Sequence, residues 1–202
     1  MASIQTTRAG PLHAQTRVTP DQEPDVDLAR AARQDGLAFS ELYRRHFRRV
    51  YGYHLLRTGN VDDAEDLTSQ TFMAALEGIH RYDGRGSFTA WLMGIAHHKM
   101  AQHYRRKRPQ AGLDAAEELP QPDHHPEDLA HQRGLMRQVG QALRKLTPER
   151  AEAFVLRTFG GLSAAETAGI LGKSEGAVKM LVHRALLDLR QILDVSLHVE
   201  EE

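Results

Sequence analysis

The 202-residue chain has no cysteine, few aromatic residues and no long apolar run. Because it lacks cysteine, it forms no disulfide, thiolate metal site or thiol redox switch of its own. A membrane-spanning helix needs about 20 apolar residues, and the polar segment 1–25 lacks the apolar centre of a signal peptide. We therefore expect a cytoplasmic protein with no membrane insertion.

The sequence also lacks the residue patterns of catalytic and metal sites. Its 12 histidines include no His-Glu-x-x-His arrangement, and no Ser-His-Asp set or phosphate-binding loop is evident. An enzyme that uses the histidines and clustered acids is the rival hypothesis from another class, and stoichiometric zinc in the pure protein would favour it. We predict no enzyme activity, no catalytic or metal-ligating residue and no cofactor.

The most informative stretch of the chain is 162–185. Ser163 and Glu166 have the spacing of a capping box, which predicts a helix that begins at Ser163. Gly172 predicts the end of that helix, and Ser174 predicts the cap of a second one. Two short helices joined in this way form a helix-turn-helix pattern, although an ordinary helical hairpin has the same local signals.

Apolar residues at steps of three and four predict helices before this stretch. Helical patterning begins near Val26, continues through 39–51 with a basic opposite face, and resumes over 61–79. Ser87 predicts the cap of a third helix that ends in the basic run 104–108. No strand alternation or tandem repeat is present, so these helices predict a small all-helical domain.

Charge is segregated along the chain although its net value is only −1. Residues 39–108 contain twelve Lys and Arg against seven Asp and Glu, whereas 109–135 contain one Arg against six acids. Prolines without a helical period mark an acidic linker in the second stretch. After the linker, Thr147 and Pro148 predict a capped helix start.

We predict an all-α fold of two small helical domains joined by an acidic, proline-containing linker, the second domain with a helix-turn-helix. The predicted segments are a disordered extension at 1–25, a helical domain at 26–108, the linker at 109–128, a helix-turn-helix domain at 129–195 and an acidic tail at 196–202.

Three motifs, in this order, resemble those of RNA polymerase sigma factors of the extracytoplasmic-function (ECF) group. They are Asp-Ala-Glu-Asp-Leu at 63–67 leading to Phe72, Gly-Ser-Phe-Thr-Ala-Trp-Leu at 86–92 before a basic run, and the stretch 162–185. The resemblance covers about 37–193. It implies a subunit that binds core RNA polymerase, directs promoter recognition, DNA opening and transcription initiation, and is held by an anti-sigma factor.

The alternative is a stand-alone helix-turn-helix transcriptional regulator. Response-regulator output domains of this kind follow a receiver of alternating strands and helices. The predicted upstream domain here is helical and basic, which favours the sigma factor. Co-elution with core polymerase would separate the two hypotheses.

The resemblance implies that one face of the second helix docks on a coiled coil of the largest polymerase subunit. Exposed acids on a rigid helix can pair with basic residues of a partner helix. The acidic linker would then pass through the positively charged channel of the polymerase. The matching docking residues are Asp63, Glu65, Asp66 and Gln70.

The resemblance also implies two DNA-binding surfaces. The third helix would hold the opened strand while the loop 81–88 captures an extruded base. By its helical spacing, Trp91 is expected in the core rather than as a stacking platform. His97 and His98 are expected to be exposed rather than to read DNA in a pH-sensitive way. The helix after Ser174 would enter the major groove of the distal promoter element. The predicted DNA-binding residues are Lys99, Arg105, Arg106, Lys107 and Arg108 on the third helix, and Lys173, Glu175, Lys179, Met180, His183 and Arg184 at the helix-turn-helix.

Overall fold

A computed structural model describes residues 23–107 and 138–199, with side chains described for 25–107 and 138–193. These residues form helices joined by short turns, and no strand occurs among them. The helices are α1 (Glu23–Ala31), α2 (Gly36–Thr58), α3 (Val61–Gly78), α4 (Phe88–Lys107), α5 (138–144), α6 (Pro148–Thr158), α7 (Ala164–Leu171) and α8 (Glu175–Val199), with a 3-10 turn at Ile79–Arg81.

Helices α1 to α4 form the first domain around a core that includes Leu42, Tyr53 and Leu92. Capping residues define where its helices begin and end. The Asn60 side chain accepts a hydrogen bond from the Asp63 backbone at the start of α3, and Gly59, with φ 67°, ends α2. The left-handed conformation at that junction suits glycine because it has no Cβ to clash.

Helices α5 to α8 form the second domain, and its caps confirm the predicted helix-turn-helix. Ser163 and Glu166 make both hydrogen bonds of the capping box, and Gly172, with φ 62°, ends α7. The Ser174 hydroxyl accepts a hydrogen bond from the Ala177 backbone at the start of α8. Thr147 stands at the N-cap of α6 as predicted, but its side chain makes no capping hydrogen bond.

Two predicted boundaries were wrong by a few residues. Helix α1 begins at Glu23, inside the segment 1–25 that was predicted to be disordered, and α8 extends to Val199, inside the predicted tail. The linker 109–128 and Arg108 lie outside the described residues. Among the described helices, none is both long and apolar enough to cross a membrane.

The two domains are in contact with each other. Helix α6 packs against α2, and α7 packs against α4. The buried side chains of both domains therefore join in one apolar cluster, with Val50 and Leu92 on one side and Val155 and Leu156 on the other. This arrangement places α7, the first helix of the helix-turn-helix, beside α4.

Candidate polymerase- and DNA-binding surfaces

Helix α3 presents three of its four predicted docking residues on one exposed side. Glu65 and Asp66 are exposed, and Gln70 is half-buried one turn further on. The Gln70 amide donates a hydrogen bond of 2.7 Å to the Asp66 carboxylate, which orients both groups. We call Glu65, Asp66 and Gln70 the acidic face of α3.

Asp63, the fourth predicted docking residue, has partners within the chain. Its Oδ2 atom lies 2.6 Å from the ammonium of Lys107 and 3.6 Å from Nε2 of His103. Burial lowers the pKa of the His103 imidazole although Asp63 favours its protonation, so Lys107 carries the positive charge of this pair. Asp63 thus joins α3 to the basic end of α4.

The basic end of α4 is exposed at Arg105, Arg106 and Lys107, while Lys99 is half-buried. The Tyr104 hydroxyl donates a hydrogen bond of 2.5 Å to the backbone carbonyl of Arg57, which fixes the last turns of α4 against α2. The guanidinium groups therefore extend from a helix that is anchored at its end. Such an arrangement suits contacts to a phosphate backbone.

The loop before α4 is built on buried aromatic rings. Tyr82 and Phe88 are buried, and Trp91 is half-buried with its ring centroid 5.4 Å from that of Tyr82 and 5.6 Å from that of Phe88. Trp91 therefore packs against the core as predicted. Ser87 caps α4 by accepting a hydrogen bond of 3.1 Å from the Ala90 backbone.

Helix α8 presents the predicted recognition residues on its exposed side. Val178 and Ala185 are buried, so the opposite side of the helix faces solvent. Lys173, in the turn before α8, pairs with Glu149 at 2.9 Å. The exposed residues are Glu175, Lys179, Met180, His183 and Arg184.

A charged cluster that the sequence patterns did not predict lies between the domains, and we call it the Glu152 cluster. The carboxylate of Glu152 on α6 lies 2.9 Å from Nε of Arg57 and 2.9 Å from Nδ1 of His97, and it accepts a hydrogen bond of 2.5 Å from the Tyr53 hydroxyl. Glu152 is only 7% exposed. His97 was predicted to be exposed, and this was wrong because its ring bonds to Glu152.

Burial and pairing have opposite effects on the charge of Glu152. Burial alone would raise the pKa of its carboxyl group, but the hydrogen bond with His97 and the charge of Arg57 outweigh it and hold that pKa below its usual range. Burial and the nearby Glu152 raise the pKa of the Tyr53 hydroxyl well above its usual value. Glu152 is therefore ionised and Tyr53 is a hydrogen-bond donor at neutral pH.

Two family models match the chain, one in each domain. The model for Sigma-70 region 2 matches residues 42–110, and the model for Sigma-70, region 4 matches residues 136–189. Together the two matches cover more than half of the chain. Their order agrees with the order of the three sequence motifs.

Curated relatives are similar over most of this chain. The ECF RNA polymerase sigma factor BldN of Streptomyces coelicolor is 38% identical over 83% of the chain and 64% of its own length, so the chain spans less than two thirds of that relative. The RNA polymerase sigma factor YlaC of Bacillus subtilis is 33% identical over 79% of the chain and 94% of its own length.

A solved structure also resembles the chain. CnrH, in complex with the cytosolic domain of CnrY, is 27% identical with a TM-score of 0.67, over 85% of this chain and 98% of CnrH. The helical fold, the two matched regions and the curated relatives agree with one another. The chain belongs to the ECF group of RNA polymerase sigma factors.

Proposed function

We propose that this chain binds core RNA polymerase and directs promoter recognition, DNA opening and transcription initiation. The observation that carries the proposal is the pairing of two surfaces on one chain of this family. The acidic face of α3 is available to a polymerase helix, and the exposed side of α8 belongs to a helix-turn-helix whose two helices both have capping residues. The proposed place of action is the cytoplasm.

In this proposal, the acidic face of α3 docks on a coiled coil of the largest polymerase subunit. Charge complementarity between exposed helices raises the encounter rate and selects the register of docking. Asp63 contributes through its pair with Lys107, which holds the basic end of α4 beside the docking helix. The acidic linker 109–128 passes through the polymerase channel.

The DNA contacts are divided between the domains. Arg105, Arg106 and Lys107 hold phosphates of the opened strand, together with Lys99 and Arg108. On the second domain, Lys173, Lys179 and Arg184 contact phosphates beside the major groove, and Glu175, Met180 and His183 face base edges. Backbone contacts of this kind set position, whereas base contacts set sequence preference.

A protein inhibitor is the further partner in this proposal. The solved structure of RpoE from Bartonella quintana, 22% identical with a TM-score of 0.63 over 78% of this chain and 97% of that one, contains the anti-sigma factor NepR. The fold of this chain is the same. We propose an anti-sigma factor as the partner that keeps the chain from the polymerase.

The test is reconstitution of the purified chain with core polymerase and fragments of the genome from which it comes. The chain should co-elute with core polymerase, and the complex should initiate RNA synthesis at specific start sites that core polymerase alone does not use. A stand-alone regulator would instead bind DNA without co-eluting. Absence of both co-elution and specific initiation would contradict the proposal.

A further inference from the structure

Helix α1 and the turn that follows it contact the loop before α4. We propose that they position this loop, residues 81–88, for the capture of an extruded base, and that Arg33 is the positioning residue. The proposal rests on the sigma factor function proposed above, in which the loop takes up one base of the opened strand. Discrimination between bases at that position then depends on a side chain 49 positions before Tyr82, which acts through the shape of the loop and not by contact with the base.

Arg33 holds the backbone at the start of the loop. Its guanidinium donates a hydrogen bond from Nη2 to the backbone carbonyl oxygen of Tyr82. A hydrogen bond from an ionised donor is roughly twice as strong as one between neutral groups. The Tyr82 hydroxyl in turn donates a hydrogen bond of 3.0 Å to the carbonyl oxygen of Gly86, which joins the two ends of the loop. A fixed Tyr82 therefore fixes the shape of the loop between 82 and 86.

Two further side chains of α1 lie against the middle of the loop. Gly84 has a φ of 79°, and an ideal Cβ built on it would lie 3.6 Å from Cγ1 of Val26 and 3.4 Å from Nη2 of Arg30. Asp83 and Arg85, on either side of this glycine, are exposed. The Asp83 carboxylate accepts a hydrogen bond of 2.9 Å from the Arg85 backbone, which gives the exposed part of the loop a defined turn. Helix α1 thus covers one side of the loop and leaves the other open to a base.

Helix α1 is itself fixed on α2. The Asp25 carboxylate is only 7% exposed and lies 2.9 Å from Nε2 of His46 and 3.0 Å from Nη1 of Arg45. Ala29, one turn further along α1, is fully buried. Because α1 is bound to α2 in its first turn and Arg33 is bound to the loop, the loop cannot shift without breaking a contact with this segment. A site that discriminates between bases needs walls that are in place before the base arrives, since ordering them on binding costs affinity.

Trp91, the only tryptophan in the sequence, reports whether Arg33 holds the loop. Its ring centroid lies 5.4 Å from that of Tyr82, so release of Tyr82 should expose the indole to solvent. In the free chain, Arg33→Ala should increase the quenching of Trp91 fluorescence by acrylamide at least about twofold. Arg33→Lys keeps a charged donor and should restore the protection in part. Gln34→Ala, at the exposed neighbouring position, is the matched control and should leave the quenching unchanged.

The functional test uses the reconstituted holoenzyme and a promoter fragment found in the reconstitution described above. Each base of the opened stretch is changed in turn, and the rate of initiation on the original base is divided by the rate on each substitute. With Arg33→Ala, this ratio should fall by at least about fivefold at the captured position and stay the same at the other positions. A general loss of stability would instead lower initiation on every fragment alike. Arg33→Lys should restore the ratio in part, and Gln34→Ala should not change it.

The two measurements separate this proposal from the function on which it rests. Equal quenching of Trp91 in Arg33→Ala and Gln34→Ala would overturn the contact of Arg33 as the one that holds the loop. Increased quenching with unchanged base ratios would overturn its role in base capture. Lower ratios without increased quenching would mean that Arg33 contacts DNA directly, which also contradicts the proposal. An original chain that never initiates would contradict the proposed function itself, while the quenching result would still show whether Arg33 holds the loop.

Discussion

The two domains bury different kinds of side chains. The first domain places polar groups in its interior, whereas the interior of the second, among described residues, is apolar apart from Glu152 and Thr167. Glu152 faces the first domain rather than its own core. The difference shows that the first domain adds specific internal hydrogen bonds to its apolar packing, whereas the interior of the second relies mainly on apolar packing. The buried polar residues of the first domain are Asp25, His46, His54, Thr68, Thr71, Ser87 and Thr89.

Two buried histidines account for much of this difference. Nε2 of His46 lies 2.9 Å from the Asp25 carboxylate and joins α2 to α1, while Nε2 of His54 lies 3.0 Å from the Thr71 hydroxyl and joins α2 to α3. Burial lowers the pKa of His46, and it lowers the pKa of His54 to about 3. The His54 imidazole is therefore neutral in the folded protein at pH 7.

The two domains also differ in the roles proposed for their surfaces. We propose docking on polymerase for the first domain alone. The double variant Glu65→Arg/Asp66→Arg should weaken binding to core polymerase by about a hundredfold, since like charges would face a basic partner. DNA contacts of the second domain should not change. The measurement is the equilibrium affinity of the full chain for core polymerase, with circular dichroism to show that α3 remains helical.

Glu77→Arg is the control for this reversal. Glu77 is an exposed acid on the same helix, about 16 Å along the axis from Asp66, which is further than the Debye length of about 8 Å at physiological salt. Its reversal should leave the affinity within about twofold of the original chain. Equal losses in both variants would mean that polymerase responds to net charge rather than to the acidic face of α3.

Acid should destabilise the first domain through His54. The unfolded imidazole takes up a proton below a pH of about 6.5, while the folded one stays neutral until about 3, so the free energy of unfolding falls as the pH falls through this window. At pH 5.5 the expected loss is about 1.4 kcal/mol relative to pH 7.5. Urea unfolding at the two pH values measures it.

His54→Gln replaces the imidazole near Thr71 with an amide that cannot titrate, so it should reduce this pH dependence. His183→Gln, an exposed position on α8, should leave it unchanged. A pH dependence that survives His54→Gln in full would show that other groups, such as His46, dominate it. The contrast between the two domains would then rest on His46 and Asp25 instead.

The local features of the fold were predictable because each depends on residues three or four apart. The capping box at Ser163, the end of α7 at Gly172 and the cap at Ser174 were all predicted and confirmed. Thr147 shows the limit of such rules. Proline at the next position sets the backbone for a helix start, and the Thr147 side chain makes no capping bond there.

Contacts between distant residues were not predictable from periodicity. Asp63 and Lys107 are 44 positions apart, and both were predicted to contact a partner, yet they pair with each other. Tyr53 and Glu152 are 99 positions apart. The only signal for Glu152 was an acid inside an apolar helical run, Ala-Glu-Ala-Phe-Val-Leu at 151–156, which indicates a buried charge but does not identify its partner.

Loss of a helix cap in the second domain should destabilise its helix more than loss of an exposed serine destabilises a helix of the first domain. Ser163→Ala removes the bond of 3.1 Å from the Glu166 backbone and should cost about 1 kcal/mol. Amide exchange in α7 should become about fivefold faster. Ser69→Ala, at an exposed position within α3, should not speed exchange in its helix. Unchanged exchange in α7 would mean that tertiary packing, not the cap, sets its stability.

The smallest expected effect concerns phosphate contacts of α8. Lys179→Ala and Arg184→Ala should each reduce the slope of log affinity against log salt by about 0.9, because each lost contact leaves one counterion on the DNA. The measurement is binding of the reconstituted holoenzyme to a promoter fragment over a series of salt concentrations. Lys145→Ala, an exposed lysine of the same domain, is the control and should keep the slope. Since neither substitution touches the acidic face of α3, affinity for core polymerase should stay the same. An unaltered salt slope in both variants would place the DNA on another side of α8.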